Sequence, residues 1–319
     1  MRNTQSHRSR FLFSLLSLVV VMAMSTSSLA ADAVADGVNL APKYVADRTT
    51  RYEIWSQRKQ NVELTFMGQT QKMEMTLETK GEVTWRVDRI GSDGSATCTM
   101  TLDWLTATTT GTDTDPVTVD SRKATGDDRM GQLVKAMSKA PITVEVAKDG
   151  TVTKVKGVEA IHAKLEDAES APDATDFQET AAELATIAGA AAMTKVNSKW
   201  KSSAQWNHEL GKLHHDTTYT LEAIEQLSDI SIATVDGVSK LRLEVDAKKL
   251  PADGPKLDVQ MKKGVAKTQI MFDLSRGEAV GRNSVQTTTI EAKLTHNGQT
   301  VTRIMDETIQ SQVLRIAEK

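Results

Sequence analysis

The stretch VELTFMGQTQKMEMTLETKGEVTWRVDRIGSDGSATCTMTLDW, residues 62–104, decides the fold class. Apolar and polar residues alternate along it, and turn residues punctuate it, which is the pattern of half-buried β-hairpins. Gly68-Gln69 fits a two-residue turn, Thr79-Lys80-Gly81 a three-residue turn, and Asp93-Gly94 a turn with positive φ at its centre. Pairing outward from these turns sets Leu64 opposite Met73, Val62 opposite Met75, Leu77 opposite Val83, Trp85 opposite Leu102 and Val87 opposite Met100. Every such pair is apolar and on one face. Thr76, Glu78, Thr84, Arg86, Asp88, Thr99, Thr101 and Asp103 take the other face. A slip of one residue would invert the two faces, so the alternation specifies a meander with one dry and one wet side.

The second half follows the same style. Asp236-Gly237 predicts a turn with Ile232 opposite Leu241. Asn297-Gly298 predicts Leu294 opposite Val301 and Ile290 opposite Met305. Ser275-Arg276-Gly277 sets Phe272 opposite Val280, and Asp149-Gly150 sets Val144 opposite Val155. Between the halves, Phe177, Ala181, Leu184, Ala188 and Ala191 form one stripe of a helix expected over 176–196. Shorter helices are expected over 157–169 and 128–138. The fold class is therefore α+β, mainly antiparallel β: two meander-rich halves forming curled sheets or half-barrels around a central helix. Size supports curling. Roughly fourteen strands at ~4.8 Å spacing would span about 60 Å if left open, and one helix covers only ~10–12 Å of that.

The N-terminus reads as an export signal. Arg2, Arg8 and Arg10 precede the apolar run FLFSLLSLVVVMAM, and Ser28 and Ala30 stand at the small-residue positions of a cleavage site. The expected organisation is a signal peptide over 1–30, a flexible leader over 31–47, a first antiparallel β unit with short helices over 48–170, a helical connector over 171–199 and a second antiparallel β unit over 200–319. No stable membrane span is expected once the signal is removed. The chain is then periplasmic or extracellular, in a bacterium. Losing three arginines takes the formal net charge from −3 to −6, which argues against nucleic acid as a partner. Cys98 is the one cysteine, so no internal disulfide forms. It reads as a small strand residue rather than a nucleophile.

HELGKLHHD, 208–216, holds three of the six histidines. A helical zinc protease needs histidines four apart, and Lys212 stands where the second would be. A turn at Gly211-Lys212 would instead set His208 opposite His215, close enough to share an ion. No third ligand is evident, so no metal site and no cofactor are assigned. No phosphate loop, serine elbow or calcium loop occurs.

A threonine-rich meander, the arm DGTVTKVKG (149–157) running into a helix, SKW (198–200) opening a second β-rich half, and IMFDLSRGEAV (270–280) near its end together resemble a family of uncharacterised exported bacterial β-rich proteins. The curled sheet is also similar, at fold level only, to periplasmic lipoprotein carriers. The resemblance implies an envelope protein and carries no catalytic residues across. Two functions stand open. The first is a non-catalytic envelope protein binding a protein partner, or an apolar, lipid-like ligand on a wall of Met73, Met75, Trp85, Met100 and Leu102. The second is a metal-dependent hydrolase built on His208 and His215.

Overall fold

The computed structural model describes residues 37–112, 114–123, 129–165, 174–185, 194–208, 211–227, 230–246, 256–296 and 299–316. The expected signal peptide and residues 186–193 of the expected helix lie outside them.

Among the described residues, twelve strands carry the fold. In the first half these are β1 (Thr49–Phe66), β2 (Gln69–Ile90), β3 (Ala96–Gly111), β4 (Val117–Asp120), β5 (Pro141–Val146) and β6 (Val152–Lys156). In the second they are β7 (Lys199–His208), β8 (Gly211–Leu227), β9 (Ile230–Val245), β10 (Lys256–Asp273), β11 (Glu278–His296) and β12 (Gln299–Arg315). Helices α1 (Arg129–Met137), α2 (Glu159–His162) and α3 (Ala174–Ala185) lie between them. All pairings are antiparallel, in the order β6-β5-β3-β2-β1-β12-β11-β10-β9-β8-β7, with β4 on β3. The two halves share one sheet, joined where β1 pairs β12 from Tyr52↔Arg315 to Phe66↔Val301.

The sheet curls without closing. Helix α3 touches β5 and β6 near one edge and β7 and β11 on the other side. Gln178 on α3 donates to the Val152 carbonyl on the edge strand β6 at 3.2 Å. Arg282 on β11 donates to the Ala182 carbonyl at 3.3 Å. Phe177, Ala181 and Leu184 are buried, as their spacing predicts, and pack with Tyr52, Val83, Trp85, Met100 and Val313. A second core cluster joins Leu40, Leu221, Ala233, Val235, Ile270, Phe272 and Ala279. Leu40 brings the segment from 37 onward, within the expected leader, against the sheet. There Val38 bridges Thr194, and the Lys43 amide donates to the Gly277 carbonyl at 3.1 Å.

Directly paired residues share a face, so the register sorts the two sides. The inner side, on which α3 packs, is apolar toward the helices. The outer side carries threonines and ion pairs such as Arg51–Glu82, Lys72–Glu63 and Lys293–Glu291.

Two expected turns are absent. Strand β2 runs unbroken through Gly81, which pairs Ile54 and Leu105. Strand β9 runs unbroken through Gly237, which pairs Tyr219 and Thr268. Each glycine serves close approach rather than reversal. A Cβ on Gly81 would stand 2.6 Å from the Trp104 carbonyl, at the bulge between Glu82 and Val83. A Cβ on Gly237 would stand 2.9 Å from the Tyr219 ring. Elsewhere the turns exist but the registers move. The first hairpin turns at Met67-Gly68, both at positive φ, so Val62 rather than Leu64 faces Met73. After the loop at 91–95, Trp85 faces Met100 and Val87 faces Cys98. Shifts of two residues preserve the dry face, which is why the face assignment survives them. Phe272 faces Ala279 rather than Val280 because of a bulge beside Met271. The pairs Leu294↔Val301, Ile290↔Met305 and Val144↔Val155 form as expected.

Candidate ligand-binding site

The five residues expected as one ligand wall separate. Trp85 and Met100 are 7% and 4% exposed and belong to the first core cluster, with Leu102 packed against it. Met73 and Met75, at 50% and 41%, lie on the same inner face but farther along the strands, beyond the helices.

What completes their surroundings comes from the other half of the chain. Met73 pairs Val62, Val62 pairs Met305, Met305 pairs Ile290, and Ile290 pairs Met261. These five residues form one row across β2, β1, β12, β11 and β10. The next row outward adds Leu64 and Val259, with Arg303 between them. On the inward side stands a polar row in which Gln60 donates to Glu307 at 2.6 Å, flanked by the Arg58–Glu307 ion pair at 3.3 Å. Three thioethers in one row make an adaptable apolar surface, because methionine is unbranched and polarisable. The hairpin at 62–104 pointed to Met73 and Met75. Val62, Met305, Ile290 and Met261 were out of reach of that reasoning, because the β1–β12 junction has no local turn to predict it.

A second concave feature lies beside α3. It is a cleft of about 420 Å³ between the helix, the start of β6 and strands β7 to β11. Its lining is largely polar, including His215, Thr217, Ser239, Thr268, Arg282 and Glu183. Thr217 and Ser239 hydrogen-bond each other at 2.7 Å, and Thr268 donates to Ser284 at 3.2 Å. Burial raises the Glu183 carboxyl above its usual range. The Arg282 charge and a 3.4 Å hydrogen bond from Ser311 offset this only in part.

The histidines do not meet as expected. Strands β7 and β8 pair in another register, in which His208 faces Gly211 and His215 faces Ala204. Four residues of strand, ~13 Å, separate the two rows. His214 points to the outer face, where its Nε2 lies 2.8 Å from Glu244 Oε2. Among the described residues, no group of three His, Cys, Asp or Glu could hold a metal ion. Burial depresses His215 to about 4, with Asp216 opposing. A histidine that charges more readily when unfolded makes the unfolded state the better proton binder between these values. Stability is therefore full above about pH 6.5 and falls as pH drops toward about 4. We expect His215→Gln to flatten that slope, read as urea midpoints between pH 7 and pH 4.5. Cys98 is buried opposite Val87, and burial followed by the Asp88 charge pushes its thiol up to about 12. That is the behaviour of an inert strand residue.

Among the described residues, no helix is long and apolar enough to cross a membrane. No curated protein matches the chain in sequence. Solved structures that match the chain include lipovitellin, from a structure titled "Lipid-protein interactions in lipovitellin", at 8% identity and a TM-score of 0.48 over 86% of this chain. The match spans only 26% of the lipovitellin chain. The outer membrane protein OprG from Pseudomonas aeruginosa matches at 6% identity and a TM-score of 0.23, over 86% of this chain and 99% of that one. A DUF1329 family protein from Desulfovibrio piger matches at 8% identity and a TM-score of 0.15, over 79% of this chain and 83% of that one. Residues 93–196, which hold β3 to β6 and the three helices, match a family model described as "Family of unknown function (DUF6263)"; over that stretch the chain is similar to an uncharacterised family.

Proposed function

We propose that this is a non-catalytic, exported bacterial envelope protein that binds an apolar, lipid-like ligand on the inner face of its curled sheet. The observation that carries the reading is the row Met73–Val62–Met305–Ile290–Met261, an apolar surface beyond the helices that is half exposed at its Met73 end and buried at Ile290. Each methylene that such a surface removes from water contributes ~0.8 kcal/mol, so partial cover of one acyl chain supplies useful affinity. The polarity of the two faces supports an internal ligand. A transmembrane barrel turns its apolar face outward, whereas here the outward face holds charges and threonines. Export is supported by the basic, apolar and small-residue order of residues 1–30.

The test is titration with N-phenyl-1-naphthylamine, an uncharged probe that brightens in apolar surroundings. The wild-type chain is expected to bind it, Met305→Leu to retain binding, and Met305→Asp to weaken it at least about tenfold, since a carboxylate in the row must be desolvated. A folded wild-type chain that leaves the probe dark would overturn the reading.

A further inference from the structure

The polar cleft beside α3 and the methionine row are neighbours along β10. Ala266, which lines the cleft, lies on β10 with Gly264 and Met261 on the same inner face. A Cβ on Gly264 would stand 2.7 Å from both Leu241 Cβ and Met261 Sδ, so these two side chains close over the glycine. Ala266, Gly264, Leu241 and Met261 form a packed apolar strip between the cleft and the end of the row. It crosses the row of Gln60, Glu307 and Thr288 at Gly264, which has no side chain.

The cleft itself is chemically specific. Ser202, Thr217, Ser239, Thr268 and Ser284 present hydroxyls, and Gln178 and Gln286 present amides. These groups both donate and accept hydrogen bonds, as recognition of a polyol requires. Tyr219 adds an aromatic wall, stacked on Trp200 with ring centroids 5.5 Å apart. Among the described residues of the lining, the cation Arg282 shares the cleft with the acid Glu183. A site built for an anion would leave such a cation without a companion carboxylate. The volume, about 420 Å³, lies within the range of small-ligand sites.

We propose that this cleft receives the uncharged, hydroxyl-bearing head of an amphipathic ligand whose tail runs past Ala266 and Leu241 onto Met261 and the methionine row. The proposal rests on the apolar-ligand reading above and adds the class of the head: a sugar or glycerol rather than a phosphate or a quaternary amine.

The experiment compares dodecyl maltoside with dodecyl phosphate, each below its micellar concentration, by calorimetry on the full chain, with N-phenyl-1-naphthylamine titrated in parallel. The maltoside is expected to bind at least about tenfold more tightly than the phosphate. The double variant Thr268→Val, Ser284→Ala is expected to lose that preference while binding the naphthylamine as wild type does, which also reports that it is folded. Equal affinities, tighter phosphate binding, or a preference that survives the double variant would each overturn the assignment of the head. If the naphthylamine still binds in those cases, the apolar-ligand reading stands. If the folded wild type binds neither the naphthylamine nor the maltoside, both fall together.

Discussion

Arg315→Met lowers the free energy of unfolding by about 3–5 kcal/mol, the expected cost of removing one partner from a buried charge cluster. Asp273 is fully buried. Its Oδ2 accepts from both terminal nitrogens of Arg315 at 3.2 Å, and its Oδ1 accepts from Ser275 and from the Arg276 amide. Arg315 also reaches Glu278 at 2.8 Å. Glu278 keeps Arg276 at 2.5 Å, Arg48 at 3.7 Å and a 3.1 Å hydrogen bond from Thr50. The methionine therefore strands Asp273 more than Glu278. Coupling should show in a double-mutant cycle, with Asp273→Asn costing less in the Arg315→Met background than alone. Burial alone would raise the Asp273 carboxyl, but the hydrogen bonds from Ser275 and the Arg276 amide, together with the Arg315 guanidinium, outweigh it and hold the group below its ordinary range. A carboxyl depressed in the fold contributes stability above its unfolded value of about 3.9 and loses it as pH falls below that. Denaturant titrations at pH 7 and at pH 3.5 check both statements, and a change within 1 kcal/mol at pH 7 would refute the first.

Phe272→Ala costs a similar ~3–5 kcal/mol by the removal of a large, fully enclosed side chain. Phe272 has no exposed surface, and Leu221, Ala233, Val235 and Ile270 around it are equally enclosed. Leu40 belongs to the same cluster, so the cavity left by alanine also loosens the docking of the segment that follows residue 37. Unfolding curves give the energy, and limited proteolysis reads the docking: cleavage near Val38 to Val45 should accelerate in Phe272→Ala. Phe272→Leu keeps most of the volume and should cost less than about 1.5 kcal/mol. Equal losses for both substitutions would mean that the site is not packed as described.

The two glycines show where local reasoning reaches its limit. Gly81 and Gly237 sit in sequence contexts that favour reversals, and a turn is the local explanation of such a glycine. Their actual role is to admit the Trp104 carbonyl and the Tyr219 ring. Both neighbours lie on adjacent strands, so nothing within a few residues of either glycine reports them. The histidine pair failed for a related reason. The observed β7–β8 register differs from the expected one by four residues, so His208 faces Gly211 instead of His215, and a cross-strand site depends on the register itself.

By itself the sequence determined the properties that are local or periodic: antiparallel β architecture, the dry and wet faces of the 62–104 stretch, the buried stripe of α3 and the register of the Asn297-Gly298 hairpin. It also foresaw a sheet too wide for one helix to cover, which has to curl. Alternation has a period of two, so errors of two residues leave these conclusions untouched. Tertiary structure alone decided that β1 pairs β12, because two strands some 235 residues apart are matched by edge geometry and not by a turn. That junction aligns Met73 and Val62 with Met305, Ile290 and Met261, and it brings Arg48 and Thr50 against Glu278 in the cluster of Asp273, Glu278 and Arg315. It likewise decided that curling would open a polar cleft between α3 and β7 to β11, since the cleft's walls come from elements that meet only once the sheet has wrapped the helix.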